Sequence, residues 1–291
     1  TTIDTVIQRY GQVSDILLAS HHWPVWGNAE VLQKLRNQRD IYRFTHDQTL
    51  RLANQGLTMD EIAEEIGEPD FADSDFGARG YYGTFKHNAK AVYQRYFGWW
   101  NAVPADYDAL PKVEESKLWI EAIGGAERTL EEALLAFEEG NYRWAARLLQ
   151  TLVFADPTNE AGRQWLAATY EQLGFVSEAG TWRNIYLSAA QDLRDPPDTQ
   201  ALSTTSVELL AAIPTLDLFN SLATRFNPAL MRGEESILQF RFSDTGETIT
   251  VDLRQSVLFP RLGATDEADV KLDLSRGSFN QLLAQQITLP E

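Results

Sequence analysis

Apolar positions along the chain change their period several times, and each change marks an element. Ile16–Ala19 is a short apolar run of strand length, expected to be buried, and it ends in a loop punctuated by Pro24 and Gly27. From Glu30 to Gly56, Val31, Leu32, Leu35, Ile41 and Leu52 recur among charges at helical spacing. Thr58-Met-Asp-Glu61 has the form of a capping box, so a short helix is expected to run to about Ile66 and stop at Gly67 and Pro69. Residues 70–85 read as a loop rich in Asp and Gly, followed by an amphipathic helix from about Lys86 to Tyr96 that Gly98 closes. Residues 101–117, with Pro104 and Pro111, read as irregular.

A repeat occupies the middle of the chain. Gly140-Asn-Tyr-Arg-Trp-Ala-Ala146 is echoed by Gly174-Phe-Val-Ser-Glu-Ala-Gly180, and Ala133 maps onto Ala167 by the same displacement of 34 residues. Small residues at such a period, with Asp156-Pro-Thr-Asn159 between the units, are the pattern of tetratricopeptide-type helix pairs. Asp195-Pro-Pro-Asp198 reads as a linker. Beyond it, Leu216–Phe226 is amphipathic, and strand-like runs follow at Ile237–Phe242, Thr248–Leu253, Ser256–Leu258 and Val270–Leu274. Ser243-Asp-Thr-Gly246 supplies a hairpin turn between the first two, and Phe279–Leu283 reads as a closing helix. The expected fold class is therefore multidomain and mainly α, with a tetratricopeptide-like helical region before a small α+β domain.

Composition narrows the function. The 291 residues carry a net charge of −17, with 44% hydrophobic and 11% aromatic residues. Large cores are affordable, while nucleic acid and anionic membrane surfaces, which attract basic patches, are disfavoured as partners. No apolar run approaches the roughly 20 residues of a membrane span. Cysteine is absent, which removes disulfides, thiolate metal sites and a cysteine nucleophile. The opening TTIDTVIQRY has neither the basic start nor the apolar centre of a secretion signal, and no initiator methionine; the chain reads as a mature, trimmed or excised piece.

Only four histidines are present, His21, His22, His46 and His87, without an HExxH or Walker pattern. A zinc enzyme normally supplies three or four ligands, so a complete site is not expected from this chain alone. His21-His22 follows an apolar run, where imidazoles suit metal ligation or an exposed polar turn. Gly80-Tyr-Tyr-Gly-Thr-Phe-Lys-His87-Asn88 leads a glycine-rich loop into a helix, whose N-terminus suits an anion or an ordinary cap. His46, beside Asp47, reads as a solvated or ion-paired face residue.

Several of these segments together resemble one family. Ser20-His-His-Trp-Pro-Val-Trp-Gly27, Gln38-Arg-Asp40 and Thr45-His-Asp-Gln-Thr49 resemble the end of the metallo-β-lactamase domain of bacterial alkyl sulfatases. Tyr82-Gly-Thr-Phe-Lys-His-Asn-Ala-Lys-Ala-Val-Tyr-Gln-Arg-Tyr-Phe-Gly-Trp99 is similar to their dimerisation domain, and Trp182-Arg-Asn-Ile-Tyr-Leu187 continues the likeness. The last segment looks like their sterol-carrier-protein-like domain. The resemblance implies a division into residues 1–30, the end of the metallo-β-lactamase domain; 31–195, the helical dimerisation domain; and 196–291, the sterol-carrier-like domain. It implies hydrolysis of alkyl sulfate esters to alcohol and sulfate at two zinc ions, bound mostly by a preceding N-terminal part that carries HxHxDH. It implies a homodimer, and favours a periplasmic or secreted location over the cytoplasm. By its motif spacing, His21 is the metal ligand that this chain contributes, with His22 as the alternative. His87 and Asn88 would hold the sulfate, and Trp99 would line the same pocket. Where the family usually carries Asp, this chain has Asn101. Two other classes are compatible with the pattern: a non-catalytic helical-repeat interaction module, and a lipid-binding protein that uses the α+β domain.

Overall fold

A computed structural model describes residues 2–197 and 205–288. Two compact units divide the chain, Thr1–Pro197 and Asp198–Glu291. The boundary falls at the Asp195–Asp198 segment, of which Asp198 lies outside the described residues.

The first unit is helical apart from one small ribbon. Helix α1 (Thr2–Tyr10) precedes β1 (Ile16–Leu17) and β2 (Val25–Trp26), which pair antiparallel with Ile16 opposite Trp26. The Ile16–Ala19 run is thus not the buried strand expected. Its strand is two residues long, and Ile16 and Leu18 are 56% and 71% exposed. Helix α1 was not legible as a helix either; none of its residues is buried.

Helices α2 (Asn28–Asn54), α3 (Met59–Glu65) and α4 (Phe85–Phe97) close the first core. Phe85, Ala89 and Tyr93 recur every four residues and form the buried stripe of α4. They meet Leu52 of α2 and Ile62 of α3. Thr58 and Glu61 make the capping box reciprocally, Thr58 Oγ1 accepting from the Glu61 N–H and Glu61 Oε2 from the Thr58 N–H at 2.8 Å. Two 3-10 turns, Asp70–Ser74 and Phe76–Ala78, carry the loop into Thr84, which caps α4.

The second half of the unit is a run of antiparallel-type neighbours: α5 (Lys112–Ile123), α6 (Ala126–Glu138), α7 (Tyr142–Ala155), α8 (Glu160–Val176) and α9 (Gly180–Arg194). Helix α5 starts directly after Pro111, so the irregular stretch is shorter than expected. Ala133, Ala145 and Ala167 are fully buried where helix backbones come close, around Leu148, Leu149 and Leu152. The repeated glycines do different work. Gly140 ends the α6–α7 turn at φ +75°, whereas Gly174 lies inside α8, where a Cβ would come within 2.8 Å of Leu187 on α9.

In the second unit, α10 (Val207–Ala212) and α11 (Thr215–Ala223) precede β3 (Ser236–Phe242), β4 (Thr248–Arg254), β5 (Val257–Leu262), β6 (Val270–Leu274) and α12 (Arg276–Leu283). The sheet order is β5-β4-β3-β6, antiparallel except that β6 lies parallel to β3. Alternate residues Ile249, Val251 and Phe242 face Leu218, Phe219 and Phe279, and the last two rings stack at 5.2 Å. Arg276, 7% exposed, donates to the carbonyls of Leu210 at 2.9 Å and Ile213 at 3.2 Å, which ties α12 to the end of α10. Strand β5 extends past the expected Ser256–Leu258 through Pro260, which an edge strand tolerates.

Candidate functional site

The turn after β1 and the loop before α4 meet in space. His22 sits at φ +68°, a left-handed conformation uncommon outside glycine, and this turns its ring toward residues 76–81. Nε2 of His22 and the Tyr81 hydroxyl share a hydrogen bond. Phe76 stacks between Trp23 at 6.0 Å and Tyr81 at 4.9 Å, and His22 lies edge-on to all three rings. Burial holds the Tyr81 phenol above its usual pKa. His21 is exposed, with its ring 6.4 Å from that of Tyr82.

Helix α9 pins the same loop from the other side. The Gly180 N–H donates to the Tyr81 carbonyl at 2.7 Å and the Thr181 hydroxyl to the Tyr82 carbonyl at 2.5 Å. At the start of α4, Thr84 Oγ1 accepts from the His87 N–H at 2.9 Å, which leaves the exposed His87 imidazole free to face outward, 6.4 Å from the Trp182 ring. Gly83 makes room for Asn88: a Cβ there would lie 3.2 Å from Asn88 Oδ1. His87 and Asn88 thus stand at the positive end of a thirteen-residue helix, next to a loop held rigid by stacking and by α9.

Beside this loop lies a cleft of about 490 Å³ between α3–α4 and α8–α9, lined by Glu68, Thr84, Lys86, Lys90, Arg143 and Trp182. Its cations are already paired. Lys86 and Arg143 both bind Glu64, at 2.5 and 2.9 Å, and hold its carboxyl below the usual range, Lys86 most strongly; Lys90 binds Asp60. Glu68 is the exception: burial, and then Glu178 and Asp73, push its carboxyl up against the opposing pull of Arg79.

Trp99 lies elsewhere. It follows the C-terminal end of α4, whose last residue Phe97 already lies about 15 Å along the helix axis from His87 at 1.5 Å per residue, and it stacks on Tyr107 at 5.8 Å. One chain therefore does not bring Trp99 into a common pocket with His87 and Asn88. His46, expected on a solvated or ion-paired face, is hydrogen-bonded through both ring nitrogens: Nδ1 lies 2.8 Å from Asp47 Oδ1, and Nε2 lies 2.7 Å from the Tyr96 hydroxyl. Among the described residues no group of three or more His, Asp or Glu side chains is placed to hold a metal ion. The residues present do not fit a zinc site on their own, and His21 stands without further ligands near it. Phe76, Tyr81 and Trp182 were not singled out from the sequence; the paired tyrosines between Gly80 and Gly83 were the one signal that could have pointed to the first two.

Residues 58–196 match the family described as alkyl sulfatase dimerisation, and residues 203–291 the family described as alkyl sulfatase C-terminal. An alkyl/aryl-sulfatase of Saccharomyces cerevisiae is 40% identical over 287 residues, covering 99% of this chain and 44% of the relative. An (R)-specific secondary-alkylsulfatase of Pseudomonas sp is 38% identical over 290 residues, again 99% of this chain and 44% of the relative. The solved structure of a stereoselective inverting sec-alkylsulfatase from Pseudomonas sp. superimposes with a TM-score of 0.90 at 38% identity, over 99% of this chain and 46% of that one. The chain thus spans less than half the length of each of these three relatives.

Proposed function

The chain belongs to the alkyl sulfatase family, and from that premise we propose that it acts as the C-terminal part of a zinc-dependent alkyl sulfatase, which hydrolyses dodecyl-sulfate-like esters to alcohol and sulfate. The observation that carries this reading is the convergence at one place of the His21–His22 turn, the Gly80–Gly83 loop and the N-terminus of α4. In this reading His87 and Asn88 hold the sulfate group at the positive helix end, where donors cost no rearrangement. His22 is committed to Tyr81, which leaves His21 as the imidazole free to reach a two-zinc centre whose other ligands come from a preceding metallo-β-lactamase region. The length of the relatives, more than twice this chain, leaves room for such a region.

The helical region then serves as a tetratricopeptide-like dimerisation domain; the 34-residue correspondence of buried Ala133 with buried Ala167 supports the comparison. The second unit, a four-stranded sheet under three helices, is read as the sterol-carrier-like domain. The working assembly is a homodimer.

The test is activity by halves. The chain alone is expected not to hydrolyse dodecyl sulfate, and a longer chain that includes the preceding region is expected to do so when zinc is supplied. Metal-dependent turnover by this chain alone, unaffected by His21→Ala, would overturn the reading.

A further inference from the structure

A second groove lies between α5 and α7, and it shares no lining residue with the cleft beside His87. Its volume is about 380 Å³, inside the range of about 300–1,000 Å³ that small-molecule sites occupy. Trp119 and Ile123 of α5 and Trp144, Leu148 and Phe154 of α7 make its apolar walls. Three of these rings, Trp119, Trp144 and Phe154, stay 56%, 52% and 38% exposed. The lining runs from Lys112 to Ile123, about 16 Å along α5 at 1.5 Å per residue, which accommodates a medium-length alkyl chain laid lengthwise. The groove is also charged at one end and apolar at the other. Lys112, Glu115 and Arg147 come from the first halves of the two helices, Ile123 and Phe154 from their last turns. The charged ends adjoin: Lys112 most strongly, and then Trp119 and Arg147, hold the Glu115 carboxyl below its usual range.

We propose that this groove binds a single-chain amphiphile with an anionic head, its tail along Trp119, Trp144 and Phe154 and its head at Arg147; the site goes beyond the sulfatase reading and does not depend on it. Charge decides the sign of the head. The carboxylates of the groove are already committed: Glu115 pairs with Lys112 at 2.6 Å, and Glu132 with Arg128. On the other flank of Arg147, Glu64 pairs with Lys86 and Arg143, and Asp60 with Lys90. Arg147 itself has no ion-pair partner among the described residues. The N-terminus of α5, which no side chain caps, opens at the same end and adds a positive dipole. In a chain of net charge −17, an uncommitted guanidinium at the mouth of an apolar groove is a local exception to the field around it. Its paired N–H donors fit a carboxylate or a sulfate head equally.

Calorimetric titration of the whole chain with decanoate, kept below its micelle concentration, tests the site. Saturable binding of one decanoate per chain is expected. Arg147→Gln is expected to weaken it about 10-fold, as loss of a charge-assisted hydrogen bond does. Decanol, which lacks the charge, is expected to bind the wild type and Arg147→Gln with the same lower affinity, which shows that the cation acts on the head and not through the fold. His87→Ala is expected to leave decanoate binding unchanged. Decyl sulfate titrated in parallel ranks the two heads, and the tighter of the two names the source of the ligand. Absence of saturable binding, equal affinity of decanoate for the wild type and Arg147→Gln, or loss on His87→Ala instead would overturn the site, and would leave the sulfatase reading to its own test by halves. Affinity that falls as protein concentration rises would give the groove to a second copy of the chain and overturn the site as well.

Discussion

The Tyr81 hydroxyl and Nε2 of His22 are joined across 59 residues of sequence, and this bond is what turns two separate loops into one surface. Tyr81→Phe keeps the stack on Phe76 and removes only the hydrogen bond. It is expected to cost about 1 kcal/mol of stability, read as a lowered melting temperature. Tyr81→Ala, which also removes the 4.9 Å stack, is expected to cost more. Equal effects of the two variants would show that the hydroxyl contributes nothing separate from the ring.

His87 separates two roles cleanly, because its backbone N–H caps α4 through Thr84 while its imidazole is exposed. On the proposed function, His87→Ala in a longer chain that includes the preceding region, supplied with zinc, is expected to leave the melting temperature unchanged and to slow turnover by about 2–4 kcal/mol of transition-state stabilisation. A lower melting temperature with normal specific activity would make it a packing residue against Trp182.

Arg276 anchors the second unit. Replacing it with Ala leaves the carbonyls of Leu210 and Ile213 without their donor and is expected to cost about 2–4 kcal/mol. All eight tryptophans lie between Trp23 and Trp182, so tryptophan fluorescence follows the first unit alone. In urea, the circular dichroism transition is expected to move to lower denaturant while the fluorescence transition stays in place.

Two carboxyls give opposite pH behaviour. Glu61 is held below its ordinary value of 4.5, chiefly by the Thr58 N–H and then by its hydroxyl, so its contribution is present above that value and fades as pH falls through the folded value. Thr58→Ala is expected to cost about 1 kcal/mol at neutral pH. Glu68 is raised, so the folded state holds its proton more tightly, and the advantage is lost as pH rises through the folded value. Glu68→Gln is expected to stabilise the protein at pH 7 by less than about 1 kcal/mol, since solvent screens the site. Melting curves from pH 4 to 8 on both variants check the two signs.

What could be read from the sequence was what is decided locally. The Thr58–Glu61 box, the four-residue stripe of α4 and the Ser243–Gly246 turn depend on residues within a few positions of one another. Burial is not local. Ile16–Ala19 has the composition of a core strand, and its exposure follows from what covers it, not from its own residues. Pro260 hid the length of β5, because a proline ends a central strand but not an edge. At the site, the histidines and the glycine-rich loop stood out individually, but nothing local links His22 to Tyr81. Trp99 was grouped with His87 through resemblance, and the length of α4 separates them.

The parallel pairing of β6 with β3 sets the order in which the second unit can be completed. During synthesis the first unit can assemble helix by helix as neighbours emerge, since its contacts run largely between successive elements. The sheet cannot. Until Val270–Leu274 has left the ribosome, one edge of β3 stays open beside Phe240 and Phe242, an unpaired apolar template for other chains. A frameshift or cleavage before residue 270 would therefore not merely trim a tail: it would leave a sticky sheet on an otherwise folded protein, and the cell would meet it as an aggregation and degradation problem before any catalytic defect.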